Sequence, residues 1–344
     1  MRKRWAVLSL LPVLSICMAE EHAVQPELNE YTGSVEILDE AAYELLRHDM
    51  RPVIRASGFD WTEGPLWIEE DGVLLFSDIP NNRVHRYEPG VGTSVYLAPS
   101  GSTAYHNDGS GQGSNGLLLN RDGQLVLLQH GDRRVAAMAA PLDDPAAEFI
   151  TLADRFEGKR LNSPNDAVLH SNGSLYFTDP PYGLDKIMDD ERKELPHQGM
   201  YRLEPDGEVI LLDDSLSFPN GIGLSPDEKT LYVAVSDPRQ ATWFAWDVES
   251  DGSLSNKRVF FDASYLVGKE GEHGLPDGLV VHSSGAIFAT GPGGVWMFSP
   301  DGEALARILT GRKTANCTFS ADEKTLYMTA SDTMMALGFF QVDQ

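Results

Sequence analysis

Six apolar, β-rich runs recur along the chain: Val73–Ser77, Gln124–Gln129, Ser174–Thr178, Thr230–Val235, Ala286–Thr290 and Thr325–Ala330. Each is short and bounded by turn residues, which reads as a strand. The turn before it is often Asp-Gly, Asn-Gly or Asp-Glu-Lys. Ahead of that turn stands a second pattern, led each time by an oxygen-bearing side chain. The six segments are Glu63-Gly64-Pro65-Leu66-Trp67, Asn115-Gly116-Leu117-Leu118, Asn165-Asp166-Ala167-Val168, Asn220-Gly221-Ile222-Gly223, Asp277-Gly278-Leu279-Val280 and Asn316-Cys317-Thr318-Phe319. Their leading residues are 52, 50, 55, 57 and 39 positions apart. A repeat of that length built from four short strands reads as a propeller blade, so the expected fold is an all-β, six-bladed β-propeller.

The predicted strands follow the repeat. Blade 1 takes Pro65–Ile68, Val73–Ser77, Val84–Tyr87 and Ser94–Leu97. Blade 2 takes Gly116–Leu119, Gln124–Gln129, Arg134–Ala139 and Glu148–Leu152. Blade 3 takes Ala167–His170, Ser174–Thr178, Gly199–Leu203 and Glu208–Leu212. Blade 4 takes Gly221–Leu224, Thr230–Val235, Thr242–Asp247 and Arg258–Phe261. Blade 5 takes Gly278–His282, Ala286–Thr290, Gly294–Ser299 and Ala304–Leu309. Blade 6 has Cys317–Ser320, Thr325–Ala330 and Met334–Phe340, and lacks a fourth strand. The unassigned run Pro52–Ser57 is expected to pair with Met334–Phe340 and close the ring, because closure removes exposed sheet edges.

Topology then orients a site. In an up-and-down blade, the loop into the innermost strand and the loop between strands two and three share one face. The six leading residues end the first kind of loop, so they crowd that face near the axis. The long connection from Asp179 to Gln198, the glycine-rich loop Ser100–Ser114 and the loop Ser264–Pro276 lie there too. Long loops gathered on one face carry function. Glu63 and Asp277 are the only carboxylates among the six, and the other four are amides. Each Asn-Gly or Asp-Gly taken singly is simply turn chemistry. Six in register around one axis make an oxygen-only site for a hard cation, with Ca²⁺ favoured.

Composition narrows the class. The chain has 344 residues with 27 basic against 52 acidic, a net charge of −25. That excess opposes nucleic-acid phosphates and anionic membranes as partners. Met1–Trp5 is basic and Ala6–Ile16 apolar, ahead of the small-residue end Cys17-Met18-Ala19. This reads as a secretory signal cleaved after Ala19, with lipidation of Cys17 as the alternative. The organisation is then a signal peptide over 1–19, an N-terminal extension over 20–50 with a helix-like stretch around Glu36–Arg47, and a propeller over 51–344. A periplasmic or secreted location follows. The mature chain keeps one cysteine, Cys317, read as a buried small apolar residue. No Cys/His spacing resembles a zinc site.

Several motifs together resemble the SMP-30/gluconolactonase/LRE-like family, in its bacterial gluconolactonase-like branch. They are Trp61-Thr62-Glu63-Gly64-Pro65, Asn162-Ser163-Pro164-Asn165-Asp166, Phe177-Thr178-Asp179-Pro180-Pro181-Tyr182-Gly183, Phe218-Pro219-Asn220-Gly221-Ile222 and Leu275-Pro276-Asp277-Gly278. The likeness spans about residues 52–337. It implies one divalent cation held by Glu63, Asn165, Asn220 and Asp277: Ca²⁺ first, with Zn²⁺, Mn²⁺ or Mg²⁺ as alternatives. It also implies hydrolysis of a sugar lactone such as glucono-δ-lactone. Asp277 is the expected catalytic base as well as a ligand, with metal-bound hydroxide as the alternative to it. Asn115, Tyr182 and Asn316 are the candidate substrate contacts, and His106, His197 and His273 candidate proton carriers. Some animal members carry an arginine where Ser163-Pro164 stands, so sugar-contacting roles known there do not transfer.

Two other readings remain open from sequence. One is a hydrolase of other esters or phosphotriesters on the same site. The other is a non-catalytic binding propeller, against which the intact Glu/Asn/Asn/Asp set argues. A Gly-x-Ser-x-Gly elbow is absent, so a serine esterase is unsupported.

Overall fold

The repeat becomes six antiparallel sheets of four or five strands each, arranged as a six-bladed propeller in the computed structural model. Residues 23–106 and 110–339 are described. The expected signal peptide therefore lies outside the described residues. Blade 1 runs outward through Thr62–Ile68, Val73–Asp78, Arg83–Glu88 and Gly92–Leu97. Blades 2 to 5 repeat this order from inner strands Ser114–Leu119, Ala167–Leu169, Pro219–Leu224 and Leu279–Val281. Blade 6 has Thr314–Phe319, Thr325–Ala330 and Thr333–Gly338. Its fourth strand comes from the front of the chain: Val53–Ser57 pairs antiparallel with Thr333–Gly338, Met335 opposite Ile54. No helix among the described residues is long and apolar enough to cross a membrane.

The extension does more than lie on the propeller. Gln25–Pro26 adds a fifth strand to blade 1, Glu30–Tyr31 to blade 6 and Ser34–Ile37 to blade 5. The helix-like stretch thus begins as the end of a strand, Glu36–Ile37, followed by a 3-10 turn over Glu40–Glu44 that Asp39 caps by accepting from Ala41 N–H at 2.8 Å. An outer strand with unpaired amides is a strong demand for a partner, and that demand overrides local propensity. Val35, 6% exposed, and the buried Leu46 anchor the segment against blade 5.

The core fills the wedges between blades. Phe288 of blade 5 stacks on Phe339 at 5.5 Å and meets Phe319 of blade 6 edge-on at 5.2 Å. Trp243 of blade 4 meets Phe298 of blade 5 edge-on at 5.2 Å. Each such ring contributes about 1.5–3 kcal/mol by burial. These wedges hold neighbouring inner strands at fixed angles about the axis, which is what gathers their leading residues.

Candidate active site

Four inner strands begin with a register break at the leading residue. The breaks fall between Glu63 and Leu66, between Ser114 and Leu117, between Pro219 and Ile222, and between Thr314 and Asn316. Glu63, Asn115, Asn220 and Asn316 therefore lie inside strands, not at the ends of loops as the sequence pattern suggests. A bulge turns a side chain out of the ordinary pleat alternation. In blades 3 and 5 the inner strands are three residues long, and Asn165 and Asp277 stand just before them.

Four of the six leading residues are followed by a glycine, and that glycine has a steric reason. A Cβ on Gly64 would fall 2.1 Å from Asn115 O, and one on Gly221 2.2 Å from Asp277 O. On Gly278 it would fall 1.9 Å from the Asn316 side chain. Blades 1, 2, 4 and 5 thus rest on the next blade's leading residue. Hydrogen bonds run along the same path: Gly116 N–H to Asn165 O at 2.8 Å, Thr178 Oγ1–H to Asn220 O at 2.7 Å and Ser77 Oγ–H to Asn115 O at 2.7 Å.

Glu63, Asn115, Asn165, Asn220 and Asp277 all line one open cavity of about 890 Å³. Trp61, His130, Tyr182 and Leu275 share its wall. Glu63, Asn165 and Asn220 are no more than 5% exposed. Asn220 Nδ2–H donates to Ser236 Oγ at 3.0 Å, which leaves its Oδ1 to coordinate. Asp277 Oδ1 is buried with no donor. Asn165 is held by cross-bracing of two sequence motifs. Asp179 accepts from Asn162 N–H at 2.7 Å and Ser163 N–H at 2.8 Å, while Gly183 N–H donates to Ser163 Oγ at 2.8 Å.

Asp166 is a third carboxylate that sequence reasoning passed over. Its Oδ2 accepts from Asn316 Nδ2 at 3.3 Å. Burial, then the charge of Asp166, pushes Glu63 up to about 8. Burial likewise pushes Asp166 up to about 7. Asp277 is raised well above the usual range by burial, then by the charges of Glu63 and Asp166. No Lys or Arg is among the leading influences on these three. Among the described residues no three Asp, Glu, His or Cys side chains close into a metal cage. The donors that fit a cation are instead two carboxylates and two amides, crowded acids included. That set suits Ca²⁺ or a similar hard ion.

Tyr182 lines the cavity, its ring stacked on Phe218 at 5.5 Å. Burial raises its hydroxyl, so it is a neutral donor. Asn316 corrects an expectation. It lies not on the wall of this cavity but in a second one beyond the leading residues, with Asp166 and Cys317. Its amide supports the carboxylates, donating to Asp166 while its Oδ1 accepts from Cys317 N–H at 2.8 Å. Of the three candidate proton carriers only His273 lines the main cavity. His106 sits 3.8 Å from Asp154, and His197 Nε2 bonds Tyr201 Oη at 2.9 Å.

The pattern of the SMP-30/Gluconolactonase/LRE-like region matches residues 61–332. A gluconolactonase of Zymomonas mobilis subsp. mobilis is 37% identical, aligned over 80% of this chain and 78% of its own. Pentonolactonase XacC of Haloferax volcanii is 26% identical over 78% of this chain and 81% of its own. A solved gluconolactonase from Xanthomonas campestris superposes with a TM-score of 0.78 at 30% identity, covering 92% of this chain and 99% of that one. A matched length of this extent, on a six-bladed fold with these residues about one cavity, makes the chain a member of the SMP-30/gluconolactonase/LRE-like family.

Proposed function

We propose that the chain hydrolyses a sugar lactone, such as glucono-δ-lactone, to the aldonic acid with the help of one divalent cation. The observation that carries this is the set Glu63, Asn165, Asn220 and Asp277 on one cavity, with Asp277 Oδ1 lacking a donor. The gluconolactonase and pentonolactonase relatives support lactone hydrolysis. The four residues named would hold the ion. When bound, it would polarise the lactone carbonyl as a Lewis acid.

The chain's own residues do the rest. Asp277 Oδ1 takes a proton from water as the water oxygen bonds to the carbonyl carbon. The ring C–O bond then breaks, and its oxygen leaves as the hydroxyl that receives the proton. Asn115 and Tyr182 flank the bound ring and offer neutral hydrogen-bonding groups. Lactones are reactive esters, so modest assistance suffices.

Chelation of the purified protein is expected to abolish hydrolysis of glucono-δ-lactone, and Ca²⁺ to restore it best among Ca²⁺, Zn²⁺, Mn²⁺ and Mg²⁺. Full activity after exhaustive chelation would remove the cation from the reading. A panel of lactones and phosphotriesters then fixes the substrate class.

We also propose export, on the basic start and apolar run of residues 1–16. Fractionation of producing cells, with N-terminal sequencing of the protein, is expected to give a chain beginning at Glu20 outside the cytoplasm. An intact Met1 in the cytoplasmic fraction would refute it.

A further inference from the structure

One ring nitrogen beside the cavity has no partner. His130 follows the strand Leu125–Gln129, is 2% exposed, and lines the cavity that holds Glu63 and Asp277. Its backbone is fixed: His130 N–H donates to Gly113 O at 3.2 Å. Close approaches on both sides lock it further. A Cβ on Gly131 would fall 2.5 Å from Gln112 O, and one on Gly183 2.8 Å from His130 O.

The neighbouring polar side chains all have structural work. Gln129 Nε2–H donates to Ser100 O at 2.8 Å, and its Oε1 accepts from Arg134. Asp132 accepts from Thr103 N–H at 3.1 Å and pairs with Arg134 at 3.2 Å. Arg133 Nε–H donates to Leu161 O at 3.0 Å. His130 Nδ1 lies 3.3 Å from Gln112 Oε1, while its buried Nε2 meets nothing.

Burial holds this imidazole at about 3, well below its usual value, so it is neutral at physiological pH. A neutral ring carries one N–H and one lone pair. Gln112 Oε1 accepts only, so Nδ1 carries the hydrogen and Nε2 the lone pair. A buried acceptor left unsatisfied destabilises the free protein, and a donor brought by a ligand removes that penalty. We propose that His130 Nε2 accepts a hydrogen bond from a substrate hydroxyl and thereby selects polyhydroxylated lactones over unsubstituted ones. This rests on the lactonase reading.

The test compares kcat and KM for glucono-δ-lactone and for δ-valerolactone, which has no hydroxyls, in the cation-loaded wild type and in His130→Leu. The variant is expected to lose about tenfold in kcat/KM on glucono-δ-lactone, mainly through KM. On δ-valerolactone it should stay within about twofold. Equal losses on both substrates would show a role in folding alone and overturn the proposal, as would no loss on either. If the leucine variant does not fold, His130→Phe, of similar size and with no acceptor, gives the same comparison. A wild type that opens neither lactone overturns the lactonase reading and this inference with it.

Discussion

Asp277→Asn is expected to lower kcat for glucono-δ-lactone by about a thousandfold while leaving the protein folded and able to bind a cation. The reasoning separates the two roles of this side chain. An asparagine keeps a neutral oxygen of the kind Asn165 and Asn220 already offer. It cannot take a proton from water, and removing a positioned general base costs about 10²–10⁴ in rate. KM should change little, because the lost interaction belongs to the transition state. Calcium titration of the same variant supplies the control. Undiminished kcat in a cation-loaded Asp277→Asn protein would rule Asp277 out as the base. Asn220→Ala should behave differently: it removes a donor, so its activity should return as the cation concentration is raised.

The cation-free protein is expected to lose stability as pH rises from about 5 to 8, and to regain it when calcium is added. Glu63 and Asp166 hold their protons up to about 8 and about 7 in the folded state, against ordinary values of 4.5 and 3.8. Asp277 is raised as well. The folded chain therefore binds more protons than the unfolded chain across this window. Their contribution is full below the unfolded values and falls as pH passes the folded ones. The melting temperature should drop on the order of 10 °C over this window, by the usual scaling for a domain of this size. Bound cation reverses the trend, because it favours the ionised carboxylates and binds more tightly as they ionise. A cation-free melting temperature that rises from pH 5 to 8 would mean the three acids are better compensated than their burial implies.

Much of the fold was legible because a propeller repeats its grammar. Turn, inner strand, turn and second strand recur at each blade, and the apolar runs set strand position within a residue or two. Most of the leading residues were legible for the same reason: Glu63, Asn115, Asn220 and Asp277 each precede a glycine. Asp166 was not legible as a participant, yet a signal existed. It occupies the position that glycine takes in four other blades, and only a residue with a purpose or with extra room stands there. His130 gave no such signal. Its tautomer and orphaned nitrogen depend on Gln112, Gly131 and Gly183, which come from different stretches. Asn316 shared the repeat position but belongs on the far side of the carboxylates, a matter of depth along the axis that spacing does not encode. The edge strands of residues 25–37 were missed because their partners lie in blades 1, 5 and 6.

By itself the sequence determined the number of blades, the strands within them and the kinds of oxygen offered to a cation. These follow from local periodicity and turn chemistry, which act over a few residues. Tertiary structure alone decided which side chains share a cavity and how strongly buried acids hold their protons. Those outcomes depend on the dielectric and the contacts created when distant blades pack together, and no segment carries them alone.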